Sequence, residues 1–310
     1  MEQPAKSYNH FKKLMATGLA TVALTTGCAE VVRANQPENY SYSDSDQDID
    51  STETPDPYEA KLNKLANLPD QWARAMEDWP GQVDIAVYDF DTGQTVQWST
   101  PGSDQFNSAS IIKYAILVET LRQKQHADTE LTDYELAQAK IMIQQSDNPS
   151  ASYLWNQAGG AKAMQDLFDS LGMYRTKASP SWGITSTTAT DQLQILKQLT
   201  PESTTLNSKS IKQMDQILDE VSANQRWGVS GGVPATIDVD LKNGWLNDSA
   251  TANEYADSSS WTVNSIGKVG EEYLIAILSE GNPVGSDSSH QNGVERLEIL
   301  SHITWQSLSQ

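Results

Sequence analysis

Apolar residues recur at helical spacing between Tyr58 and Trp79, at Leu62, Leu65, Leu68, Trp72 and Met76, and Pro80-Gly81 ends the run. Val83–Tyr88 and Thr95–Trp98 follow as two strands around the turn Asp91-Thr92-Gly93-Gln94. From Ile111 to Val118 the chain is apolar on nearly every face except at Lys113, the pattern of a buried helix, and Asn107 and Ser108 are its N-cap candidates. Further helices are predicted at Asp133–Gln145, Ser150–Gln157, Ala161–Leu171 and Thr190–Leu199, with breaks at Gly159-Gly160 and Gly172. The stretch Arg175–Ala189 is irregular, rich in Ser and Thr and interrupted by Pro180 and Gly183, and a loop of that length inside a compact domain is often functional. Ser208–Val221 reads as a helix, Thr236–Leu241, Trp261–Ile266 and Tyr273–Ser279 as strands, and Val294–Leu308 as a closing helix. The expected class is α/β (α+β): an antiparallel sheet flanked by helices from both chain ends, with an all-helical subdomain inserted over about residues 106–205 of a domain spanning 58–310.

The N-terminal region differs from this pattern. Lys6, Lys12 and Lys13 precede an apolar run from Leu14 to Leu24, and Thr25-Thr26-Gly27-Cys28 follows, so residues 1–27 read as a secretory signal peptide. The run is too short for a spanning helix. Gly27-Cys28 resembles the lipobox of bacterial lipoproteins, in which the cysteine becomes the lipid-bearing first residue. Thr25 departs from the branched aliphatic residue usual three places before it, with Leu24 one place off. Residues 28–57 are poor in apolar residues, and Asp44, Asp46, Asp48 and Asp50 alternate, as in a disordered acidic tether. The implied location is secreted, anchored as a lipoprotein on the outer face of the bacterial cell membrane.

Of the 310 residues 38% are hydrophobic, enough for a sizeable core, and the formal net charge is −20. Such acidity argues against a nucleic acid partner and against membrane contact other than through the N-terminal lipid. Cys28 is the only cysteine, which rules out an internal disulfide and a Cys-based zinc cluster. The four histidines lack metal-ligand spacing, and His126, His290 and His302 are expected at the surface. No metal or cofactor is implied, and the oligomeric state is not legible.

Ser110 and Lys113 stand three apart, on one face of the first turn of the predicted helix and near its positive end. A lysine in apolar surroundings is partly neutral and can take a serine proton, so the pair suits a nucleophile and its base. Ser265-Ile266-Gly267-Lys268 has the same spacing, so this pair alone decides little. Two further short motifs follow in order, Ser146-Asp147-Asn148 just past a helix end, and Lys242-Asn243-Gly244 at the end of a strand in which Ile237, Val239 and Leu241 alternate with Asp238 and Asp240. Ser-x-x-Lys, Ser-Asp-Asn and Lys-Thr-Gly in this order resemble the signature of the penicillin-recognising serine enzymes, the class A β-lactamases and penicillin-binding proteins. Arg226-Trp227-Gly228-Val229, Lys242-Asn243-Gly244-Trp245-Leu246 and Trp261-Thr262-Val263-Asn264-Ser265-Ile266-Gly267 carry a closer likeness to β-lactamase-like serine hydrolase lipoproteins of actinobacteria.

The resemblance implies roles. Ser110 would attack an acyl carbonyl with Lys113 as base, and Ser146 with Lys242 would pass a proton to the departing nitrogen. Asn148 would hold Lys113 and the substrate amide. Lys242 and Asn243 would meet a substrate carboxylate, beside Gly244, and the backbone N–H groups of Ser110 and Trp245 would form the oxyanion hole. Asn243 stands where threonine is usual. The expected substrates are small β-lactams or peptidoglycan peptides. Competing motifs are Lys268-Val269-Gly270, the aspartic-protease-like Asp91-Thr92-Gly93, and Gly228-Val229-Ser230-Gly231-Gly232, a nucleophile-elbow pattern that His290 or His302 would complete but that needs a strand before and a helix after. Class A β-lactamases deacylate through a glutamate on the loop after Ser-Asp-Asn, yet Arg175–Ala189 holds no Asp or Glu, and Asp191 lies beyond it. Three functions stay open: a serine hydrolase of the class A β-lactamase type with slow deacylation, a D-alanyl-D-alanine-type peptidase, and a non-hydrolysing binding module of the same fold.

Overall fold

The computed structural model describes residues 56–218, 221–248, 260–285 and 289–309. The signal segment, Cys28 and the tether up to residue 55 lie outside them. The first helix, α1 (Pro57–Ala75), starts where Asp56 accepts a hydrogen bond from Tyr58 N at 3.0 Å and Pro57 has no N–H to satisfy. Strands β1 (Gln82–Asp89) and β2 (Thr95–Ser99) form a hairpin, and a two-residue strand β3 (Phe106–Asn107) leads into a short 3-10 turn, Ala109–Ile112. Helices α2 (Lys113–His126), α3 (Asp133–Gln144), α4 (Asn148–Ala158) and α5 (Gly160–Ser170) follow. Next come the short strand β4 (Ser186–Thr187) and helices α6 (Ala189–Lys197) and α7 (Ser208–Leu218). Strands β5 (Val239–Asn247), β6 (Ser260–Val269) and β7 (Tyr273–Pro283) and helix α8 (Gln291–Leu308) complete the chain.

The main sheet has the order β2-β1-β7-β6-β5 with every pair antiparallel, so the first hairpin is joined to the last three strands through β1 and β7. Both of its faces are covered. One carries Val83, Ile85, Val87, Ile275 and Ile277 against α1 and α8, and the other carries Ala86, Leu274, Ala276 and Leu278 against the helical block. This explains why the strands read as apolar runs rather than alternating ones. Trp72 of α1 is fully buried and donates through Nε1 to Thr304 Oγ1 of α8 at 3.1 Å, closing the outer layer. Among the described residues no helix is long and apolar enough to cross a membrane.

Four sequence expectations are corrected. Asn107 is not a helix cap; it pairs with Ser186 in a second, two-stranded sheet, and Ser108 makes no side-chain capping bond. Helical block and boundary also differ, because α7, past the expected end near residue 205, packs Met214, Ile217 and Leu218 into the same core. Thr236–Leu241 is not the strand; β5 begins at Val239 and continues through Lys242, Asn243 and Gly244 to Asn247, so that motif lies mid-strand. Finally, His290 is not a simple surface residue, since its ring stacks on Trp245 at 4.9 Å and 8° with Trp227 and Trp261 around it.

Candidate active site

The turn carrying Ser110 is held from two sides. Ser108 N–H donates to Thr185 O at 2.8 Å, and Asn264 Nδ2 on β6 donates to Asn107 O and Ser108 O at 2.8 and 3.1 Å. Ala109, directly before the serine, has φ +46°, a left-handed conformation rare for a residue with a side chain. Ser146, between α3 and α4, is likewise left-handed at φ +57°. The bend there lets Asp147 cap α4 by accepting from Ser150 N at 2.7 Å, and it turns Ser146 and Asn148 toward α2. Two strained non-glycine residues therefore flank the same spot, as is common where a fold holds reacting groups.

Lys113 is buried at the start of α2. Its Nζ lies 2.7 Å from Ser146 O, 2.8 Å from Asn148 Oδ1, 3.0 Å from Ser110 Oγ and 3.1 Å from Ser146 Oγ. The first two partners are pure acceptors and take two hydrogens. A neutral amine has two hydrogens and one lone pair, so the lone pair is left for a hydroxyl proton, and Ser110 Oγ–H is within reach. Burial lowers the Lys113 pKa to about 8, against the partly offsetting charge of Asp147. Lys242 on β5 is also buried, and its Nζ donates to Ser146 Oγ at 3.0 Å and to Asn243 O at 2.8 Å. Burial, and after it the charge of Lys113, hold the Lys242 pKa well below the ordinary lysine value. Ser146 thus bridges two amines, and the chain Ser110–Lys113–Ser146–Lys242 is continuous within hydrogen-bond distance. This arrangement can take a proton from one hydroxyl and deliver one some distance away.

The remaining motif residues divide by strand parity. Lys242 and Gly244 face the helical block, whereas Asn243 and Trp245 share the opposite face with Val239 and Leu241. A Cβ on Gly244 would come 2.6 Å from Ser110 N and 2.9 Å from Ile111 N, so the backbone of β5 passes directly against the serine turn. The Trp245 ring packs beside Trp227 and His290, away from Lys242. Asn243 is fully buried, with Nδ2 donating to Gln225 O at 2.6 Å and Trp227 O at 3.3 Å while Oδ1 accepts from Ser265 Oγ at 2.6 Å. In this arrangement its amide ties β5 to the 225–227 segment and does not face the serine, contrary to the expected contact with a substrate carboxylate. Replacing Asn243 by Ala should therefore cost stability, on the order of 2–3 kcal/mol for orphaning two buried carbonyls and a hydroxyl, read as a lower urea midpoint.

The competing motifs are placed elsewhere. Ser265 sits within β6 and its hydroxyl is used by Asn243 and by Val229 N at 3.0 Å. Gly228–Gly232 has neither a strand before it nor a helix after it, and Gly228, at φ +73°, is glycine because a Cβ would lie 2.4 Å from Ser265 Oγ. Asp91-Thr92-Gly93 forms the β1–β2 turn, in which Asp89 Oδ1 accepts from Thr92 N and Oγ1. Lys268 pairs with Glu271.

A cavity of about 290 Å³ opens on Ser110, between Asn148, the 181–184 turn of the irregular loop, and Trp245 and Leu246 of β5. None of its lining residues is acidic. Asp191, the nearest downstream carboxylate in sequence, accepts from Thr176 Oγ1 at 2.7 Å and Arg175 N at 3.1 Å; it ties down the loop's start, and burial raises its pKa. Two contributors were not singled out from sequence. One is Asn264, the strap behind the serine turn. The other is Trp182, whose ring lies over Lys113 Nζ with its centroid 5.1 Å away. Among the described residues no group of three or more His, Cys, Asp or Glu is placed to hold a metal ion.

Comparison with known proteins agrees with this architecture. A class A β-lactamase from Bacteroides cellulosilyticus superposes with a TM-score of 0.65 over 80% of this chain and 99% of its own, at 16% identity. One from Mycobacterium abscessus gives 0.62 over 78% and 100%, at 18% identity. At these identities the likeness is one of fold: an antiparallel sheet flanked by helices with a helical block inserted. Proteins of Mycobacterium bovis and Mycobacterium tuberculosis named "Putative lipoprotein LppW" are 26% identical over 210 residues, which is 64% of this chain and 62% of theirs, so the match spans less than two thirds of those relatives. The sequence model of the beta-lactamase enzyme family matches residues 129–305, more than half of the chain, and the protein therefore belongs to that family.

Proposed function

We propose that the protein is a serine hydrolase of the class A β-lactamase type that forms an acyl-enzyme on Ser110 with β-lactams or related amides and releases it slowly. The carrying observation is the unbroken chain from Ser110 through Lys113 and Ser146 to Lys242, with Lys113 Nζ 3.0 Å from Ser110 Oγ. In this reading the Ser110 oxygen bonds to the amide carbonyl carbon while its proton moves to Lys113. The N–H groups of Ser110 and Trp245 take the negative oxygen, and Gly244 keeps the backbone close enough for that. As the carbon–nitrogen bond breaks, Ser146, between the two lysines, gives its proton to the leaving nitrogen and is reprotonated from Lys113. Asn148 holds Lys113 in place and offers its amide to the substrate.

Release is the weak half of the cycle. Arg175–Ala189 supplies no carboxylate to activate water, and Asp191 is tied into the fold. That absence favours, as a second reading, a D-alanyl-D-alanine-type peptidase acting on peptidoglycan. In either reading the chain acts outside the cell, carried by a lipid on Cys28 with the acidic segment 28–57 as its tether; the lipoprotein name of the mycobacterial relatives supports the lipid anchor.

Mass spectrometry of the purified domain with a penicillin separates the readings. An adduct on Ser110 that decays slowly with matching release of penicilloate is the expected result, and an adduct that does not decay would favour the peptidase or a non-hydrolysing binding module. No adduct at all would overturn acylation. Ser110→Ala should abolish the adduct, whereas Ser230→Ala should leave it.

A further inference from the structure

The irregular loop lays the ring of Trp182 over one of the reacting groups. Its indole ring faces Lys113 Nζ at 5.1 Å, and Lys113 in turn lies 3.0 Å from Ser110 Oγ. The side chain is held, not loose: Nε1 donates to Ser152 Oγ on α4 at 3.2 Å, and the Trp182 carbonyl accepts from Thr185 N at 3.2 Å. The loop beneath is pinned too. Lys177 and Ser186 exchange backbone bonds at 2.9 and 3.1 Å, Ser179 N donates to Thr185 Oγ1 at 3.2 Å, and Asp191 holds Thr176. Trp182 and Ser110 line the same cavity, whose opposite wall is the backbone of β5.

An ester on Ser110 is flat at its carbonyl carbon, and water can attack it only from a face that solvent reaches. On the β5 side, the strand lies too close to the serine turn to admit even a methyl group on Gly244. On its loop side the cavity is lined by Ser181, Trp182, Gly183 and Ile184, of which Trp182 has the largest side chain. The Trp182 side chain is half-buried: it packs against the edge of the helical core, and its ring also meets Lys113 and the open cavity.

We propose, on the reading of Ser110 as nucleophile, that Trp182 is a water-excluding residue: its indole covers the face from which water would reach the Ser110 ester, and thereby sets the ester's lifetime. The same ring face would favour the ammonium that Lys113 becomes on taking the serine proton, so Trp182 serves acylation while opposing hydrolysis.

The test separates the two steps. Full-length protein, Trp182→Ala and Trp182→Phe are acylated with a fluorescent penicillin, and adduct formation and decay are followed with and without hydroxylamine, a small neutral nucleophile. Trp182→Ala should form the adduct no more than about fivefold more slowly, lose it at least about tenfold faster, and gain sensitivity to hydroxylamine. Trp182→Phe keeps an aromatic face but loses the bond to Ser152, and its adduct should decay within about threefold of the unaltered protein. Thermal melts identify a variant that merely loosens the fold, because such a variant would slow acylation as much as it altered decay. Equal decay and equal hydroxylamine sensitivity in all three proteins would overturn the role of Trp182. Absence of an adduct in the unaltered protein would instead overturn the reading of Ser110.

Discussion

Replacing Lys113 by Met should slow adduct formation on Ser110 by about a thousandfold, within the range that a positioned base contributes. The substitution keeps the length of an unbranched side chain among Tyr114, Ile116 and Leu117, so the start of α2 stays filled. It removes the one atom that touches Ser110 Oγ, Ser146 Oγ, Ser146 O and Asn148 Oδ1 together. In the unaltered protein the rate should rise roughly tenfold from pH 7 to pH 9, because attack needs neutral Lys113 and its pKa is lowered to about 8. That rise should vanish in Lys113→Met. Stability carries the same mark with a definite sign. The unfolded lysine keeps its proton up to about 10.5 and the folded one releases it near 8, so between these values the unfolded chain binds more protons and stability grows with pH. Stopped-flow acylation and urea titrations across pH 7 to 10 check both; a pH-independent acylation rate in the unaltered protein would exclude Lys113 as the base.

Gly244→Ala is expected to be the most damaging single-methyl change at the site. The new carbon would stand 2.6 Å from Ser110 N, 2.9 Å from Ile111 N and 3.1 Å from Ala109 Cβ. Two of those neighbours are backbone atoms, so relief requires β5 or the serine turn to move. Such overpacking costs on the order of 1–3 kcal/mol. Displacing the strand also separates Ser110 N–H from Trp245 N–H, and a misplacement near 1 Å can cost about a hundredfold in rate. Gly183→Ala is the matched control for packing: no atom lies within 4 Å of its added carbon, and its melting temperature should stay near that of the unaltered protein. If Gly244→Ala acylated as fast as the unaltered protein, the close approach of β5 would have no part in the chemistry.

Much of the site could be read from the sequence because its parts are short and ordered. Ser110, Lys113, Ser146, Asn148 and Lys242 were all expected together, and they lie within hydrogen-bond distance of one another through Lys113 and Ser146. The antiparallel sheet and the helical insertion were legible from periodicity and from the placing of strands near both ends. What escaped has identifiable causes. Lys242-Asn243-Gly244 breaks the apolar alternation and ends in glycine, so it resembled a strand end, whereas β5 continues to Asn247. Extending the parity of Val239 and Leu241 by two residues would have placed Asn243 on the far face. Phe106–Asn107 is too short a strand to leave a period, and it exists only because Ser186 and Thr187, distant in sequence, pair with it. Trp182 carries no local signal at all: an aromatic residue in a Ser-rich loop becomes informative only when the loop's anchors show where its ring is held.

The pairing of β1 with β7 also bears on the order in which the molecule can be made. Gln82 lies opposite Glu280, so the hairpin made first waits for roughly two hundred further residues before its inner neighbour exists. As the chain lengthens from its N-terminus, α2 to α7 can gather around their own apolar residues, but neither face of β1 has a finished sheet to rest on until β7 is complete. A chain cut before Tyr273 would therefore keep its serine and helices α1 to α7 while lacking the central strand that joins the two halves of the sheet, and folding of this domain should wait until β7 has been made.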